Sequence, residues 1–216
     1  MRHQIAPSIL NADFLHLSEV ISMLNNSDAD LIHLDIMDGV FVPNLSFGFP
    51  VISQIKTVAK KPLDVHLMIV EPERYLERYK EVGADILTIH YEACEKLGET
   101  LGKISGLGMK ASVSLKPDTD VSVLAPYLEY LDMVLIMTVE PGYGGQSFME
   151  SSYERVQQLK EMIHSAGTGT LIEVDGGVGK DNLGKLKKAG ADVFVIGTSI
   201  FQASDPTAMI KYLKNI

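Results

Sequence analysis

Two histidines and two aspartates stand at or near the ends of short apolar runs: His33 and Asp35 in LIHLD, His66 in LDVHLM, and Asp175 in LIEVDGG. Imidazole nitrogens and carboxylate oxygens are common ligands of divalent metals. Side chains alternate along a strand, so His33 and Asp35 project from the same face and are able to bind one ion together. The pattern predicts a metal centre, provided that the fold brings the other two runs alongside.

Taken singly, each of these residues has a purely structural explanation. A lone histidine in an apolar run is more often a hydrogen-bonded core residue, and Asp35 or Asp175 could cap a helix. Burying all four at the ends of three strands without a shared partner would be costly. Their joint occurrence favours the metal centre.

Charge and composition restrict the partners. The 216 residues include 28 acidic and 19 basic side chains, for a net charge of −9, and no Lys/Arg cluster. We therefore expect neither nucleic acid nor a membrane as a partner. The length predicts one domain, residues 1–216. Cys94 is the only cysteine and the N-terminal segment lacks a signal-like apolar core, so we expect a cytoplasmic protein.

Short runs rich in Val, Ile and Leu alternate with longer segments whose apolar residues recur three or four apart. This alternation is typical of repeated strand–helix units around a parallel sheet. Eight strands are predicted, at Gln4 to Leu10, Leu31 to Asp35, Leu63 to Met68, Ile86 to His90, Lys110 to Leu115, Met133 to Val139, Leu171 to Asp175 and Val193 to Gly197.

An aspartate precedes a four-residue apolar run at Asp30, Asp85, Asp132 and Asp192. The interval between successive aspartates fits two strand–helix units of roughly 25 to 30 residues each. The aspartates therefore mark every second strand. Helix-to-strand turns of any α/β protein could use the same residues, but they would not explain the regular count. The α/β pattern favours a closed (β/α)8 TIM barrel over an open doubly wound sheet.

A closed barrel brings the carboxyl ends of its strands to one mouth, where such folds build their sites. The residues predicted at this mouth are Ser8, Asp35, His66, His90, Met137, Asp175 and Gly197. The four candidate metal ligands therefore meet in this fold.

Six blocks of the sequence together resemble the ribulose-phosphate 3-epimerase family: APSILNADF, HLDIMDGVFVPN, DVHLM, MTVEPGYGGQSF, EVDGGV and GADVFVIGTSIF. They extend from Ala6 to beyond Phe201. The resemblance implies a (β/α)8 barrel with one divalent cation per subunit, which could be Zn, Fe(II), Mn or Co. It also implies interconversion of D-ribulose 5-phosphate and D-xylulose 5-phosphate in the pentose phosphate pathway, by a homo-oligomer that is a dimer or a hexamer.

By this resemblance His33, Asp35, His66 and Asp175 are the metal ligands, Asp35 is the proton acceptor and Asp175 the proton donor. The chemistry is consistent, because a cation at the ketone oxygen stabilises the negative charge of an enediolate. Inversion at the neighbouring carbon then needs two acid/base groups on opposite faces of the intermediate.

Small residues follow the seventh and eighth strands, where barrels commonly bind phosphate through backbone amides. The predicted phosphate contacts are Gly176, Gly177, Gly197, Thr198 and Ser199, with tight-turn chemistry as the alternative. Lys180 is the only basic residue nearby, which favours capture by the main chain.

Two long loops, DGVFVPNLSFG and EPGYGGQSF, could fold over a substrate and exclude water. From the second loop we predict substrate contacts at Gly142, Tyr143, Gly144 and Gly145. The resemblance adds Ser8, His66 and Asp175 as substrate contacts. It also suggests that Met37, Met68 and Met137 pack around the reacting carbons, although core filling is the simpler role for any methionine.

Other functions are weighed on particular residues. A metal-free decarboxylase of the orotidine-phosphate type would need a lysine where DIMD has Met37. A metal-dependent hydrolase is a minor option, because no separate nucleophile signature is present. A non-catalytic phosphosugar-binding barrel would not need two ligating carboxylates. The nearest alternative is a D-allulose-6-phosphate 3-epimerase, which would use the same chemistry on a longer sugar.

Overall fold

The computed structural model describes residues 3–216. The strands are β1 Gln4–Pro7, β2 Ile32–Met37, β3 Leu63–Met68, β4 Ile86–His90, β5 Lys110–Leu115, β6 Met133–Met137, β7 Leu171–Asp175 and β8 Val193–Ile196. The α-helices are α1 Leu17–Asn26, α2 Phe49–Val58, α3 Leu76–Glu81, α4 Leu97–Gly106, α5 Ser152–Ala166, α6 Leu183–Ala189, α7 Thr198–Phe201 and α8 Pro206–Lys214. All eight strands are parallel and lie in the order β1-β8-β7-β6-β5-β4-β3-β2.

Contacts between the two outer strands close the sheet. Ser8 forms a parallel bridge with His33, and the amide of Asp30 donates to the carbonyl oxygen of Ile5 at 2.9 Å. The predicted (β/α)8 barrel is thereby confirmed.

Strands β3, β4, β5 and β7 have the predicted bounds, whereas the others differ at their ends. β1 stops at Pro7 instead of Leu10, because the Ser8 hydroxyl accepts the amide of Leu10 and caps a 3-10 turn. β6 and β8 end before Val139 and Gly197, and β2 is shifted to Ile32–Met37.

One crossover departs from the expected strand–helix alternation. Between β5 and β6 the described chain forms a 3-10 helix, Val121–Tyr130, in place of an α-helix. Pro126 lies inside it, and proline has no N–H for an α-helical hydrogen bond.

The two faces of the sheet differ in polarity. Ile32, Leu34 and Ile36 of β2 point outward into the main apolar core between sheet and helices. His33 and Asp35 of the same strand point inward and are buried. Several other strands add polar side chains to the barrel interior: Asp64, His66, Thr88, His90, Ser112, Ser114 and Glu173. The barrel interior is therefore unusually polar at the level of the site.

The four repeated aspartates have a common structural role at the amino ends of the strands. Each carboxylate accepts the backbone N–H of a residue on the preceding strand: Asp30 from Ile5, Asp85 from Leu63, Asp132 from Ala111, and Asp192 from Ile172. The amide of the same aspartate donates to that strand in return. We call these four reciprocal pairs the basal clamps, and they join the strands two by two.

Three of the basal clamps also contain a lysine from a helix. Lys214 contacts Asp30, Lys56 contacts Asp85, and Lys160 contacts Asp192. Among residues 3–216 no ion pair involves Asp132.

Candidate active site

The inward-facing ends of β2, β3 and β7 bring the four predicted metal ligands together. One potential ligand atom from each of His33, Asp35, His66 and Asp175 lies within 4.8 Å of the other three. His66 Nδ1 is 3.2 Å from Asp35 Oδ1 and 3.9 Å from Asp175 Oδ2. His33 Nε2 is 3.4 Å and 4.0 Å from the same two oxygens. This buried group could hold a metal ion.

The hydrogen bonding of His33 supports a cation at this point. Its Nδ1 lies 2.6 Å from the buried carboxylate of Asp64 and donates to it. In the neutral ring the lone pair is then on Nε2, which has no hydrogen-bond partner and faces two carboxyl groups. A metal ion would satisfy this orphaned acceptor, and a histidine with its other nitrogen bonded to a carboxylate is a common metal ligand.

The two carboxyl groups of the site differ in proton affinity. Burial would raise the pKa of Asp35, but His33 and His66 outweigh it and lower that pKa. Burial and the negative charge of Asp35 raise the pKa of Asp175 to about 7. Burial alone would lower the pKa of His33, but Asp35 and Asp64 raise it well above its ordinary value, so a cation bound at Nε2 would displace a proton from that nitrogen. Asp35 is therefore ionised at neutral pH, while Asp175 is close to its midpoint.

Ser8 reaches this group from β1. Its hydroxyl donates to Asp35 Oδ2 at 2.6 Å, so the two carboxylate oxygens of Asp35 have different partners. Oδ1 faces the histidines, and Oδ2 is held by Ser8. The orientation of the carboxylate is thus fixed from the strand next to β2.

A cavity of about 230 Å³ opens above the four residues. Most residues predicted to contact substrate line it, namely Ser8, Met37, Met68, Met137, Gly142, Tyr143, Gly144, Gly145, Asp175, Gly176, Gly177, Gly197, Thr198 and Ser199. Asp35 also lines the wall, whereas His33 and His66 are fully buried beneath it. None of its described lining residues is Lys or Arg, and Lys180 is absent from it.

The two long loops contact each other over the mouth. The side-chain amide of Asn44 donates to the carbonyl oxygen of Gly142 at 2.8 Å, and the Tyr143 hydroxyl donates to that of Pro43 at 2.6 Å. The side-chain amide of Gln146 donates to the carbonyl oxygens of Glu140 and Tyr143 within the second loop. Both loops are therefore held at the edge of the cavity.

The model of the ribulose-phosphate 3-epimerase family matches residues 4–201. The chain belongs to this family. Ribulose-phosphate 3-epimerase of Bacillus subtilis is 43% identical over 212 residues, which are 98% of each chain. The chloroplastic ribulose-5-phosphate-3-epimerase of Arabidopsis thaliana is 43% identical, over 97% of this chain and 75% of the plant protein. The predicted family is thereby confirmed.

Solved structures with lower identity share the family's barrel. KGPDC from Streptococcus mutans, solved in complex with a sugar phosphate, has a TM-score of 0.74 at 14% identity, covering 100% of this chain and 97% of that chain. A 3-hexulose-6-phosphate synthase has a TM-score of 0.66 at 21% identity, covering 100% and 99%. Within residues 3–216 no helix is long and apolar enough to cross a membrane.

Several residues of the site carry no sequence signal of their own. Asn11 lines the cavity, and its carboxamide lies so close to Gly144 and Gly197 that a Cβ at either glycine would collide with it. Thr138 donates to the carbonyl oxygen of Asp175 at 2.8 Å and thereby supports the end of β7. His90 was predicted at the mouth without a role, and it contacts His66 directly. Only the convergence of the strands reveals these contacts.

Proposed function

We propose that this protein is a metal-dependent ribulose-phosphate 3-epimerase, which interconverts D-ribulose 5-phosphate and D-xylulose 5-phosphate by proton exchange at C3. The observation that carries the proposal is the convergence of Asp35 and Asp175, with different proton affinities, at the floor of one cavity. The names of the relatives point to the same reaction. We further propose that residues 1–216 form one domain.

His33 Nε2, His66 Nδ1 and one oxygen each of Asp35 and Asp175 would hold one divalent cation per subunit. Zn²⁺, Fe(II), Mn²⁺ and Co²⁺ all accept such nitrogen and oxygen ligands. When bound, the cation would stabilise negative charge on the ketone oxygen of the substrate.

Asp35 and Asp175 would exchange the proton. Asp35 is ionised and held by Ser8, so it is able to accept the C3 proton of one epimer. Asp175 would return a proton from the other face, and the higher pKa of Asp175 than of Asp35 in the metal-free site favours keeping that proton on Asp175. In the reverse direction the two roles exchange.

The substrate's phosphate would bind between the loops after β7 and β8. Gly176, Gly177, Gly197, Thr198 and Ser199 line that part of the cavity. Since the described lining residues include no Lys or Arg, backbone amides and hydroxyls would supply the contacts. The sugar-phosphate complex of KGPDC supports a ligand of this class for this barrel type.

The loop over the mouth and the methionines would protect the intermediate. Gly142 to Gly145 line the cavity and would contact the substrate, and the loop would exclude water. Met37, Met68 and Met137 are buried at the wall and offer no competing proton to an enediolate.

We also propose a homo-oligomer in the cytoplasm. Leu15, Val40 and Leu45 are large apolar side chains with exposed fractions of 90%, 72% and 71%. Contact with a second subunit would remove this apolar surface from water. Cys94 is a buried free thiol, as expected in a reducing compartment. The molar mass in solution, measured by light scattering, tests the assembly.

The reaction is tested by incubating the protein with D-ribulose 5-phosphate in heavy water, with and without prior chelation. We expect deuterium at C3 alone, formation of xylulose 5-phosphate, and loss of both after the metal has been removed. Metal content is measured on the same samples. Parallel incubation with D-allulose 6-phosphate tests the longer sugar. If the protein binds D-ribulose 5-phosphate but neither incorporates deuterium nor forms xylulose 5-phosphate, the alternative of a non-catalytic phosphosugar-binding barrel is favoured.

The variant Asp175→Asn tests the proton donor. We expect its epimerisation rate to fall by about 10² to 10⁴, because a positioned acid/base group is lost. Asp181→Asn is the matched control, since Asp181 is an exposed carboxylate of the loop after β7. A metal-loaded Asp175→Asn protein with the wild-type rate would contradict the assignment.

A further inference from the structure

The imidazole of His90, at the end of β4, lies against the side of His66 that faces away from the candidate metal centre. His90 Nε2 is 2.9 Å from His66 Nε2, and both side chains are fully buried. Two nitrogens at this distance share one hydrogen, so one of them donates and the other accepts. The proton arrangement of His66 therefore depends on that of His90.

Glu92 sets the direction of this hydrogen bond. Its Oε2 lies 3.3 Å from His90 Nδ1, and its Oε1 accepts the amide of Lys116 at 2.9 Å and the hydroxyl of Thr119. Burial would raise the pKa of Glu92, but these donors lower it to about 2. The ionised carboxylate only accepts, so the hydrogen of a neutral His90 is on Nδ1 and its Nε2 has a lone pair.

We propose that Glu92 and His90 are positioning residues that, in the metal-loaded protein, hold the His66 proton on Nε2 and leave the lone pair of Nδ1 for the cation. In the metal-free site that nitrogen is hydrogen-bonded to Asp35 Oδ1 at 3.2 Å and lies 3.9 Å from Asp175 Oδ2, so a cation would take the place of a proton there. The inference deepens the proposed function, because it concerns the readiness of the same site for its cation.

The two histidine ligands need different hydrogen-bond partners, because they direct different ring nitrogens toward the cation site. His33 presents Nε2, and a single carboxylate, Asp64, fixes its Nδ1–H. His66 presents Nδ1, so its partner must accept at Nε2, which His90 does only while Glu92 holds the His90 proton on the other side. With the opposite tautomer, His66 Nδ1–H would donate to Asp35 and close the cation site.

An aromatic ring covers the His90 end of this chain of contacts, whereas the side chain of Glu92 remains 22% exposed. Phe41, from the loop after β2, lies with its ring centroid 4.7 Å from that of His90. The ammonium group of Lys116 lies 4.1 Å from the centroid of the Phe41 ring. A buried hydrogen bond without competing water keeps a defined direction.

The tautomer is measured first, on Zn²⁺-loaded wild-type protein, by ¹⁵N NMR of the histidine rings near pH 8. We expect a protonated Nδ1 and an unprotonated Nε2 on His90. A proton on His90 Nε2 would overturn the proposal. This readout does not depend on the reaction.

Zn²⁺ affinity is then compared among three variants by competition with a chelator. His90→Phe keeps an aromatic ring but removes the acceptor, and we expect about 10- to 100-fold weaker binding. His90→Gln retains an acceptor oxygen and should stay within about threefold of wild type. Thr88→Val is the matched control, because Thr88 is a buried inward-facing residue of β4 whose hydroxyl has no partner.

Unchanged Zn²⁺ affinity in folded His90→Phe, or an equal loss in Thr88→Val, would contradict the positioning role. If His90→Phe does not fold, as judged by circular dichroism, the wild-type tautomer decides the question. Wild-type protein that binds no Zn²⁺ would refute the proposed metal centre and this inference with it, whereas Zn²⁺ binding with the opposite His90 tautomer would refute this inference alone.

Discussion

At the scale of single residues, position 177 accommodates only glycine. Both its backbone conformation and the atoms packed against it disfavour a side chain. Its φ is +63°, and a Cβ there would lie 2.6 Å from Phe148 N and 2.8 Å from Gln146 O. Sequence reasoning assigned this glycine to close approach of a phosphate. The structure adds a close approach of the loop over the mouth, whose backbone fills the space of the missing side chain.

Gly177→Ala is therefore expected to displace this loop. We expect kcat/KM to fall by about 10²-fold, since small misplacements of binding groups have effects of this size. Gly167→Ala is the matched control, because Gly167 has φ +68° and nothing within 4 Å of its Cβ position. Both variants should lose about 1 kcal/mol of stability from the positive φ. Equal activities of the two variants would contradict displacement of the loop.

His90 predicts how stability depends on pH. Burial lowers its pKa to about 4 from an ordinary value of 6.5. The folded protein thus binds this proton less readily than the unfolded chain, so stability is complete above pH 6.5 and falls as the pH decreases toward 4. Between pH 7.5 and pH 5 the loss from this group is about 2 kcal/mol.

The measurement is urea unfolding of metal-free wild type and His90→Gln at both pH values. The variant lacks the titrating group, so its stability should decline by about 2 kcal/mol less than that of wild type. Parallel declines would show that His90 does not titrate in this way. Contributions from His33, Asp35 and Asp175, which have no hydrogen bond to His90, are present in both proteins and cancel in the comparison.

At the scale of elements, Arg155 of α5 supports the carboxyl ends of two strands. Its guanidinium donates to the carbonyl oxygens of Met137, Lys116 and Thr119 at 3.0, 2.8 and 3.1 Å. These oxygens lie at the end of β6 and just after β5. One side chain thus holds the two segments that the irregular 3-10 crossover connects.

Arg155→Met should destabilise the protein by about 1 to 3 kcal/mol, because part-buried carbonyl oxygens lose a charged donor. Arg74→Met is the control. Arg74 is exposed and pairs with Glu71 only three residues away, so its loss should cost under about 0.5 kcal/mol. Chemical denaturation measures both values. A loss for Arg155→Met as small as for Arg74→Met would mean that water replaces the guanidinium.

The strands were predictable from sequence, because their apolar runs are distinct and because parallel strands of a barrel all end at the same mouth. Apolar runs defined eight strands, and the convergence of their carboxyl ends brought His33, Asp35, His66 and Asp175 to one point. The 3-10 crossover was missed, because the apolar spacing of Val121, Leu124 and Leu128 is compatible with an α-helix. Asp64, His90 and Thr138 could not be given roles, since their partners lie on other strands and depend on register.

At the scale of the whole molecule, the mouth and the base of the barrel have separate tasks. The candidate ligands and the cavity lie at the carboxyl ends of the strands. The basal clamps lie at the amino ends and link β1 with β2, β3 with β4, β5 with β6, and β7 with β8. The aspartates that indicated the strand count are thus structural, and none of the four belongs to the candidate ligands.

The clamp at Asp132 differs from the other three in a way that has a dynamic consequence. It has no lysine among the described ion pairs, and its two strands are linked by the 3-10 helix. Amide hydrogen exchange should therefore be fastest at Ala111 among the four clamped amides, with Ile5, Leu63 and Ile172 exchanging more slowly. Mass spectrometry of exchanged peptides would locate the first opening of the barrel at this pair of strands, on the rim opposite the chemistry.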